Sequence, residues 1–499
     1  MTDRPTGHDR VVAVIGGGIS GLAAARVLAG LAPVSEQLSN GGNNSVARRT
    51  RVVVLEAGHR LGGKVASGEL AGQPVELGPD QFLRRDPSAE RLCRHLGLGD
   101  DLVAPAASTA AVWSRGKMRG LPRGLVLGVP TDLDAVEQGG IVSAEGVNRA
   151  RLDGELDGPV LDAFDVGLGE PPADGPVEER SAGEILRARL GDETVDRLVD
   201  PLLGGINAGG VDTMSLGTAA PQIAQALIGH RDVIAPLAAT LPAASGSAAP
   251  SSPFYGLRGG LSRLVDACCE ELAGAGVEIR TSSPVNTIRS SGTGWLLETG
   301  QAALAVDGIV LAVPGYAGSE LTKDCVPDLA GTLGEIPYAS VAVVTLAFRT
   351  EALSLPSRWT GVLVPRIEGR LMTAATWLSV KWPWMSGEET SYVRVSAGRF
   401  GDARIDDLGD EELAARLTSE LSEIAGIDAG PFACKVTRYE RSFPQYQPGH
   451  RSRVAAMAKA LYAKPGLALA GAVLGGIGIP ACITSGEVAA NRLTCDLGR

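Results

Sequence analysis

The chain has 499 residues, of which 44% are hydrophobic, and its formal net charge is −11 at pH 7. This length allows two to four domains with real hydrophobic cores. The acidic balance and the absence of a Lys/Arg-rich run argue against nucleic acid as a partner.

The numbers and spacings of cysteine and histidine further limit the class of protein. The seven cysteines form no C-x-x-C pair, and none of the five histidines stands four residues from another. These spacings disfavour a disulfide scaffold and a metal centre, so we expect no metal and a reducing compartment. The N-terminus is polar and is followed by a strand rather than by a signal h-region. We therefore expect a cytoplasmic protein.

The first predicted element is a buried strand, Val11 to Ile15, followed by a glycine-rich turn and a helix. Gly16, Gly18 and Gly21 have the G-x-G-x-x-G spacing of a dinucleotide-binding turn. The first glycine allows a tight turn, the second lets the backbone approach a pyrophosphate, and the third lets the helix pack closely on the strand. The positive end of the helix dipole would then face the phosphates. A purely structural glycine turn is the alternative interpretation.

A second strand, Arg51 to Leu55, ends at Glu56, where a Rossmann unit places the carboxylate that binds the ribose hydroxyls. Glu56 follows Gly16 by 56 − 16 = 40 residues, about twice the usual ~20. The segment from Ala32 to Thr50 is rich in Ser, Asn and Gly, and we interpret the surplus as a loop inserted before this strand.

Glycine-bearing turns, LGGK at 61–64 and VELGPDQF at 75–82, come next and would lie near the ends of the nucleotide-binding strands. Residues 131–180 are acidic and rich in Gly and Pro, which is typical of surface loops and short helices. Ser181 and Glu184 form a capping-box pattern. One helix is predicted to follow, with apolar residues at helical spacing: Ile185, Leu186, Leu190, Val195, Leu198 and Leu202.

Sequence patterns typical of a nucleotide-binding domain return after a second linker, Ala238 to Pro253. We predict a helix over 259–273 and strands at 277–280, 284–288, 295–297 and 307–314. Residues 338–348 and 391–397 alternate as antiparallel strands of a second sheet do. This order predicts a nucleotide-binding domain that is interrupted twice.

The stretch from Pro465 to Ser485 carries no charge and could be mistaken for a membrane span. Its five glycines and two prolines favour a strand, a glycine loop and a helix instead. The N-terminus of such a helix, aimed at the N1–C2=O edge of a flavin, would stabilise the anionic reduced ring by roughly 0.3–2 kcal/mol. A nicotinamide needs no such charge, so this loop favours a flavin, with a helix–strand packing turn as the alternative.

Seven motifs in order resemble those of the flavin-dependent porphyrinogen oxidases, within the amine-oxidase-like FAD superfamily: GGGISGLAAA, LEAGHRLGGKV, ELGPDQF, YGLRGGLSRL, PVNTI, FPQYQPGH and GGIGIPACI. The segment DPLLGGINAGGVDTMSL at 200–216 is similar to that family's helical-domain segment and separates it from ordinary amine oxidases and phytoene desaturases. The resemblance extends over nearly the whole chain.

The resemblance implies an α/β fold with three parts: a Rossmann-like FAD-binding domain of the p-hydroxybenzoate-hydroxylase type, an antiparallel-sheet substrate domain and a helical insert domain. With the changes in sequence texture, it predicts FAD-binding segments at 1–103, 221–320 and 434–499. The helical insert would then cover 104–220, and the substrate-binding domain would cover 321–433.

The resemblance also assigns FAD-binding positions. The predicted set comprises the phosphate loop (Gly16, Gly17, Gly18, Ile19, Ser20, Gly21), the ribose carboxylate Glu56 beside Ala57, Lys64 in the basic turn, the flavin-lining Gly78, Pro79, Asp80 and Gln81, the adenine contact Val285, Tyr439 where relatives often carry tryptophan, and Ile477, Gly478 and Ile479 beside the ring. Two positions depart from the family pattern. Ala481 stands where an acidic residue is usual, and Ala472 where Asn or Ser is common.

The activity that the resemblance implies is oxidation of coproporphyrinogen III to coproporphyrin III in haem biosynthesis, with FAD as cofactor, O2 as acceptor and H2O2 as product. Oxidation of protoporphyrinogen IX is the alternative. A flavin amine oxidase or carotenoid desaturase, and a non-catalytic FAD- or porphyrin-binding protein, are further possibilities. The next enzyme of haem synthesis would be a partner, with at most peripheral membrane contact.

These substrates carry four or two propionates, so the site requires cations. The candidates are Arg84, Arg85, Lys117, Arg119 and Arg123, each of which could equally be a solvated surface charge. No side chain presents itself as a base. His59 and His450 are the histidines that fall in motifs, and turn positions account for both. We assign no catalytic residue.

Overall fold

A computed structural model describes residues 10–498 except 36–49, 108, 159, 163–178, 242–251, 293, 301, 357, 386 and 388. Most of the predicted inserted loop and much of the second linker therefore lie outside the described residues. The described part is mixed α/β, as expected, and it is organised around one parallel sheet and one larger, mainly antiparallel sheet.

The parallel sheet joins strands from both ends of the chain. In spatial order the strands are Glu278–Arg280, Thr50–Leu55, Arg10–Ile15, Gly308–Leu311 and Leu467–Leu469. The central ones are aliphatic and buried on both faces, because helices cover a parallel sheet on each side. The chain leaves this sheet after Leu55 and again after Leu311, and it returns each time. Hereafter we call this sheet and the elements packed on it the nucleotide half.

Two helices pack side by side on the parallel sheet and hold the chain ends together. The first helix, Ile19–Leu28, packs along the last helix, Ile479–Gly498. A Cβ at Gly486 would lie 2.0 Å from the carbonyl oxygen of Ser20, so glycine is required for this approach. Buried Glu487 accepts hydrogen bonds from the backbone N–H groups of Val34 and Ser35.

The second sheet has seven strands. In spatial order they are Ala433–Pro444, Tyr338–Arg349, Thr390–Ala397, Met372–Trp377, Gly361–Leu363, Ala111–Ser114 and Lys117–Gly120. All neighbours are antiparallel except Gly361–Leu363 with Ala111–Ser114. The strands at the two edges of this sheet do not follow the domain boundaries that the sequence analysis expected. Ala111–Gly120 was expected in the helical insert, and Ala433–Pro444 crosses the expected boundary at 433/434. We call this sheet and residues 195–210, which face it, the substrate half.

The predicted long helix after Ser181 is wrong in its extent. The capping box forms as expected, since Ser181 and Glu184 exchange hydrogen bonds. The helix ends at Gly191, however, whose φ is +81°. A π-helix, Val195–Gly204, follows and contains Pro201, which cannot donate a backbone hydrogen bond. The apolar spacing was largely correct, because all of these residues except half-buried Leu202 are buried, but it did not show the break.

The remaining elements are two small sheets, two hairpins and the other helices. One antiparallel three-stranded sheet consists of Val285–Ser291, Gly294–Thr299 and Ala303–Val306. A second consists of Phe82–Leu83, Phe254–Leu257 and Leu102–Val103. Two hairpins pair Ser67–Leu70 with Gln73–Glu76, and Leu125–Val126 with Val129–Pro130. Among the described residues, the other α-helices are Ser88–His95, Leu133–Gly139, Ala144–Arg151, Ala182–Leu190, Asp192–Thr194, Leu216–Ala219, Pro221–Leu227, Ile234–Thr240, Ser262–Gly274, Gly315–Thr322, Pro327–Gly334, Leu378–Lys381, Asp410–Ala425 and His450–Tyr462.

The uncharged stretch near the C-terminus folds as a strand, a glycine loop and the last helix. Leu467–Leu469 is the edge strand of the parallel sheet, Ala472–Leu474 is a 3₁₀ turn, and the helix begins at Ile479. Within the described residues, no helix combines the length and apolar character that crossing a membrane requires.

A buried ion cluster connects the two halves. The carboxylate of Asp80 is bound at 2.7 Å by both the Lys381 ammonium and the Arg394 guanidinium, and the Trp382 indole N–H donates to it at 2.8 Å. Burial alone would disfavour the charged form of Asp80, but the two cations outweigh it and hold the pKa of this carboxyl well below its usual range. The cluster thereby links the two halves through buried, charge-assisted hydrogen bonds.

Candidate functional site

A cavity of about 1010 Å³ lies between the two halves. This volume is at the upper limit of the ~300–1,000 Å³ usual for small-molecule sites. The nucleotide half contributes the glycine loop, the turns at 56–65 and 78–81, and the C-terminal glycine loop. The substrate half contributes residues 200–209 and the inner strands of the seven-stranded sheet. The cavity therefore has two walls of different origin, which we call the nucleotide wall and the substrate wall.

The glycine loop has the geometry that its spacing predicts. Gly16 has φ +103°, and a Cβ there would lie 2.4 Å from the carbonyl oxygen of Ala312. At Gly21 a Cβ would lie 1.9 Å from the Gly16 carbonyl oxygen, so helix and strand are in close contact. At Gly18 the nearest atom to an added Cβ is 4.0 Å away. Gly18 thus caps the helix Ile19–Leu28 and presents bare backbone to the cavity, as a pyrophosphate requires.

The second turn is bound to the first. The N–H of Gly62 donates to the carbonyl oxygen of Gly17 at 2.8 Å. Glu56 accepts from the N–H groups of Gly17 and Gly58, both at 2.7 Å, and also lines the cavity. Each carboxylate oxygen can accept more than one hydrogen bond. Glu56 is therefore fixed in position and retains acceptor capacity for ribose hydroxyls.

Two buried polar atoms, one on each wall, have no hydrogen-bond partner within the part of the chain that the structure describes. Oε1 of Gln81 and the hydroxyl of Tyr439 are buried and make no hydrogen bond. Both residues line the cavity beside Gly78, where a Cβ would lie 2.0 Å from the carbonyl oxygen of Lys64. Buried polar groups normally have partners. These atoms fit a bound heterocycle with its own donors and acceptors, and a flavin ring has both.

Lys64 faces the same space. Its ammonium is accessible through the cavity but is set deep in the protein, and burial lowers its pKa. The C-terminal glycine loop closes this end: Ile477, Gly478 and Ile479 line the cavity, and the last helix begins at Ile479. Cavity, lysine and helix N-terminus together suit a ring that gains negative charge on reduction.

The substrate wall carries charged groups that the sequence analysis did not single out. Asp200, Arg394 and Arg399 line the cavity. The carboxylate of Asp200 accepts from the N–H of Val211 at 3.1 Å, and burial raises its pKa. Burial and the nearby Arg366 lower the pKa of Arg399. An arginine within an otherwise uncharged strand was the available signal for Arg394, whereas nothing local distinguishes Arg399 from a surface residue.

Most predicted cofactor positions meet at the cavity. The lining includes Gly16, Gly18, Ile19, Ser20, Glu56, Ala57, Lys64, Gly78, Pro79, Gln81, Val285, Tyr439, Ile477, Gly478 and Ile479. Gly17, Gly21 and Asp80 are not part of it. The first two pack behind the loop, and Asp80 turns away from the cavity to the buried cluster with Lys381 and Arg394.

None of the predicted propionate-binding cations lines the cavity. The Arg84 guanidinium stacks on the Tyr255 ring, 4.2 Å from its centroid, and Arg85 is exposed. Arg123 is paired with Asp132 at 2.9 Å, with 80% of its side chain exposed. Lys117 and Arg119 lie on the edge strand of the seven-stranded sheet. Position beside a motif did not reveal which way these side chains point.

The fold and the cavity define a class: a protein with a dinucleotide-type glycine turn on a parallel sheet and a large cavity between that sheet and an antiparallel one. The profile of the flavin-containing amine oxidoreductases matches residues 19–494, and the chain belongs to this family. The flavin cofactor, FAD, that the motifs predicted is thereby confirmed.

Similar proteins include two curated coproporphyrinogen III oxidases. The one from Bacillus subtilis is 32% identical over 483 residues, covering 96% of both chains. The one from Mycobacterium tuberculosis is 33% identical over 478 residues, covering 95% of both. The predicted resemblance to the porphyrinogen oxidases is confirmed.

Solved structures agree. A protein from Exiguobacterium, provisionally assigned as a protoporphyrinogen oxidase, superposes with a TM-score of 0.79 at 28% identity, over 97% of this chain and 99% of its own. Cyclohexylamine oxidase from Brevibacterium oxydans has a TM-score of 0.67 at 18% identity, over 98% of this chain and 100% of its own. At that identity the second likeness concerns the fold alone.

Proposed function

We propose that the chain oxidises coproporphyrinogen III to coproporphyrin III, with FAD as cofactor, O2 as final acceptor and H2O2 as product. The observation that carries this proposal is end-to-end similarity to coproporphyrinogen III oxidases, combined with a cavity that leaves space and charge beyond the FAD-binding residues. The reaction removes six electrons, so one coproporphyrinogen would consume three O2 and release three H2O2.

The cofactor would lie along the nucleotide wall. Backbone groups of residues 16–20 would hold the pyrophosphate, Glu56 the ribose and Val285 the adenine. Lys64, Gln81, Tyr439 and the loop 477–479 would surround the ring. FAD, when bound, supplies the two-electron acceptor chemistry. The residues of this chain bind and orient the macrocycle and exclude water from it.

Proton transfer has few candidates among side chains. Within the described residues no histidine lines the cavity, and Asp200 is the carboxylate of the substrate wall. His450, which falls in a predicted motif, is buried away from the lining, and burial lowers its pKa to about 4. We therefore propose that pyrrole protons pass to water, and we assign no catalytic base.

The organisation into parts is also a proposal. The FAD-binding part would be of the p-hydroxybenzoate-hydroxylase type, which the five-stranded parallel sheet and the three-stranded sheet 285–306 support. FAD-binding segments at 1–103, 221–320 and 434–499, a helical insert at 104–220 and a substrate domain at 321–433 remain the framework. The sheet pairings favour moving Ala111–Gly120 and Ala433–Pro444 to the substrate domain.

The cellular setting follows from the same chemistry. We propose a cytoplasmic enzyme, because the seven cysteines are all free. It would hand its product to the next enzyme of haem synthesis and contact a membrane at most peripherally.

The test compares coproporphyrinogen III with protoporphyrinogen IX, anaerobically and then in steady state. We expect coproporphyrinogen III to bleach the flavin absorbance, and in air to give porphyrin fluorescence with three H2O2 per porphyrin. Faster bleaching by protoporphyrinogen IX would favour the second substrate, which similarity to bovine protoporphyrinogen oxidase (28% identical over 511 residues) keeps open. If neither bleaches the flavin, assays with amines and a carotenoid precursor would separate the other oxidases from a non-catalytic binding protein.

A further inference from the structure

A buried guanidinium on the substrate wall has no counter-ion. Arg399 lines the cavity and is only 9% exposed. Its Nε is buried without a hydrogen-bond partner. Among the residues that the structure describes, no acceptor bonds this guanidinium and no carboxylate forms an ion pair with it. A buried charge is costly unless it is paired, so the group lacks an anion.

The neighbouring cavity cations differ from Arg399 in this respect. Arg394, on the strand that leads to Arg399, donates to the Gly78 carbonyl oxygen at 2.9 Å and to Asp80 at 2.7 Å. Arg394 therefore already has a carboxylate partner inside the protein. Lys64 belongs to the opposite, nucleotide wall. The substrate wall thus offers one arginine whose hydrogen-bonding capacity is unused by the described residues.

The nearest acidic groups are held by other partners. Asp402 lies three residues from Arg399 but is bound by Arg404 at 2.7 Å. Asp200 accepts from the N–H of Val211. Both act on Arg399 only at a distance, and Arg366 adds positive charge from another side. The field at Arg399 therefore favours an incoming carboxylate.

The backbone around Arg399 is fixed before any ligand binds. The N–H of Phe400 donates to the Ala208 carbonyl oxygen at 2.7 Å, and the N–H of Asp402 donates to the Arg399 carbonyl oxygen at 3.0 Å. Gly398 has φ +88°, and a Cβ there would lie 2.7 Å from the Ser340 carbonyl oxygen. The turn that carries Arg399 thus depends on glycine and is attached to the 200–209 segment. Such preorganisation lowers the entropic cost of binding.

We propose that Arg399 binds a carboxylate of the substrate and so sets the position of the macrocycle against the flavin. The inference rests on the proposed function in one respect: the carboxylate would be a propionate of the porphyrinogen. The guanidinium suits this role because its planar fork can bind a carboxylate through two hydrogen bonds. Arg399 is a substrate-binding residue and takes no part in electron or proton transfer.

The experiment titrates oxidised holoenzyme with coproporphyrin III, a tetracarboxylate, and with its uncharged tetramethyl ester in the same non-ionic detergent. Flavin absorbance reports binding. The variants are Arg399→Gln, Arg399→Lys and the exposed control Arg123→Gln. We expect Arg399→Gln to weaken coproporphyrin III binding by about 10- to 100-fold and to leave ester binding unchanged. Lysine should restore part of the loss, and the control should match the wild type.

Steady-state kinetics gives a second readout. For coproporphyrinogen III, we expect Arg399→Gln to raise KM by a similar factor while kcat changes by less than about threefold. FAD content and Tm should be retained, and removal of an unpaired buried charge should leave Tm equal or higher. A structural role alone would lower Tm and weaken ester and acid binding equally.

Each outcome decides the inference. It is wrong if Arg399→Gln binds coproporphyrin III like the wild type, if ester binding falls equally, or if the wild type does not bind coproporphyrin III. If the wild type oxidises neither porphyrinogen but binds coproporphyrin III in an Arg399-dependent way, the proposed function fails and the carboxylate site stands.

Discussion

The two walls of the cavity are built by opposite strategies. The core of the nucleotide wall comes from short runs of chain, 16–20 and 56–65, in which adjacent turns hydrogen-bond each other and offer mainly backbone groups. The substrate wall takes its side chains from five remote places: residues 200–209, 338–343, 364–373, 394–399 and 439–444. A local site leaves a motif in the sequence, and a dispersed site does not.

The charged groups of the two walls also differ in where their partners come from. On the nucleotide wall Glu56 is bound by neighbouring backbone N–H groups. On the substrate wall Arg394 is satisfied by Asp80, which comes from the other half of the molecule, and Arg399 by no described residue. A charged side chain on this wall therefore finds its partner in a distant segment of the fold or in a bound ligand.

The strongest test of the difference replaces one cavity glycine on each wall by valine. Gly18→Val puts branched carbons where backbone should meet the pyrophosphate, with no protein atom closer than 4.0 Å to the Cβ. The variant should therefore fold but lose stoichiometric FAD. Gly205→Val, whose Cβ would meet no atom within 4 Å, should keep FAD. Flavin absorbance per protein measures both. Retained FAD in Gly18→Val would contradict the assignment of the phosphate loop.

The junction between the halves should give the next largest effect. Asp80→Asn leaves Lys381 and Arg394 buried together without a counter-charge, so unfolding free energy should fall by about 3–5 kcal/mol in urea titrations. Glu389→Gln, which breaks an exposed pair with Arg349, is the control and should cost less than about 1 kcal/mol. Equal losses would mean that the cluster does not connect the halves.

The pH dependence of that variant has a definite sign. The pKa of Asp80 is depressed in the folded protein, so its contribution to stability is present above the unfolded pKa of about 3.9 and is lost as pH falls below it. The gap between wild type and Asp80→Asn should therefore be constant from pH 5 to 7 and narrow below about pH 4. A gap that narrows on raising the pH instead would reverse the assignment.

A buried carboxyl with only neutral hydrogen-bond partners should behave in the opposite way. Glu76, in the nucleotide half, accepts from the Leu261 N–H and the Ser67 hydroxyl, and burial raises its pKa to about 7. The stability that this bound proton contributes is fully present below the unfolded pKa of about 4.3 and is lost as the pH rises through 7. The unfolding free energy of Glu76→Gln, relative to that of the wild type, should therefore rise by about 1–3 kcal/mol between pH 5 and pH 8. Exposed Glu69→Gln, in the same hairpin, should show no such gain.

The smallest effect expected is at the arginines that lie beside motifs but outside the cavity. Arg85→Gln and Arg123→Gln should change KM for coproporphyrinogen III by less than about twofold and stability by less than about 0.5 kcal/mol. A tenfold rise in KM at either would show that the substrate extends beyond the cavity wall and would weaken the contrast with Arg399.

Particular elements show how far the sequence could be followed. The strand, turn and helix at 467–498 were predictable, because glycine and proline mark local backbone geometry. The helix expected beyond Leu190 was not, since apolar spacing is the same on either side of a break. Asp80 was expected at the flavin together with its neighbours Gly78 and Gln81, which do line the cavity, but its partners Lys381 and Arg394 lie some three hundred residues away.

By itself the amino-acid sequence determined the α/β class, the glycine turn after the first strand, the FAD cofactor and the family, because each depends on residues close together in the chain. Only the tertiary structure decided which cations reach the cavity, since the direction of a side chain depends on strand register and on packing between distant segments. Arg123 and Arg399 carry the same guanidinium, and the fold exposes one to solvent and encloses the other.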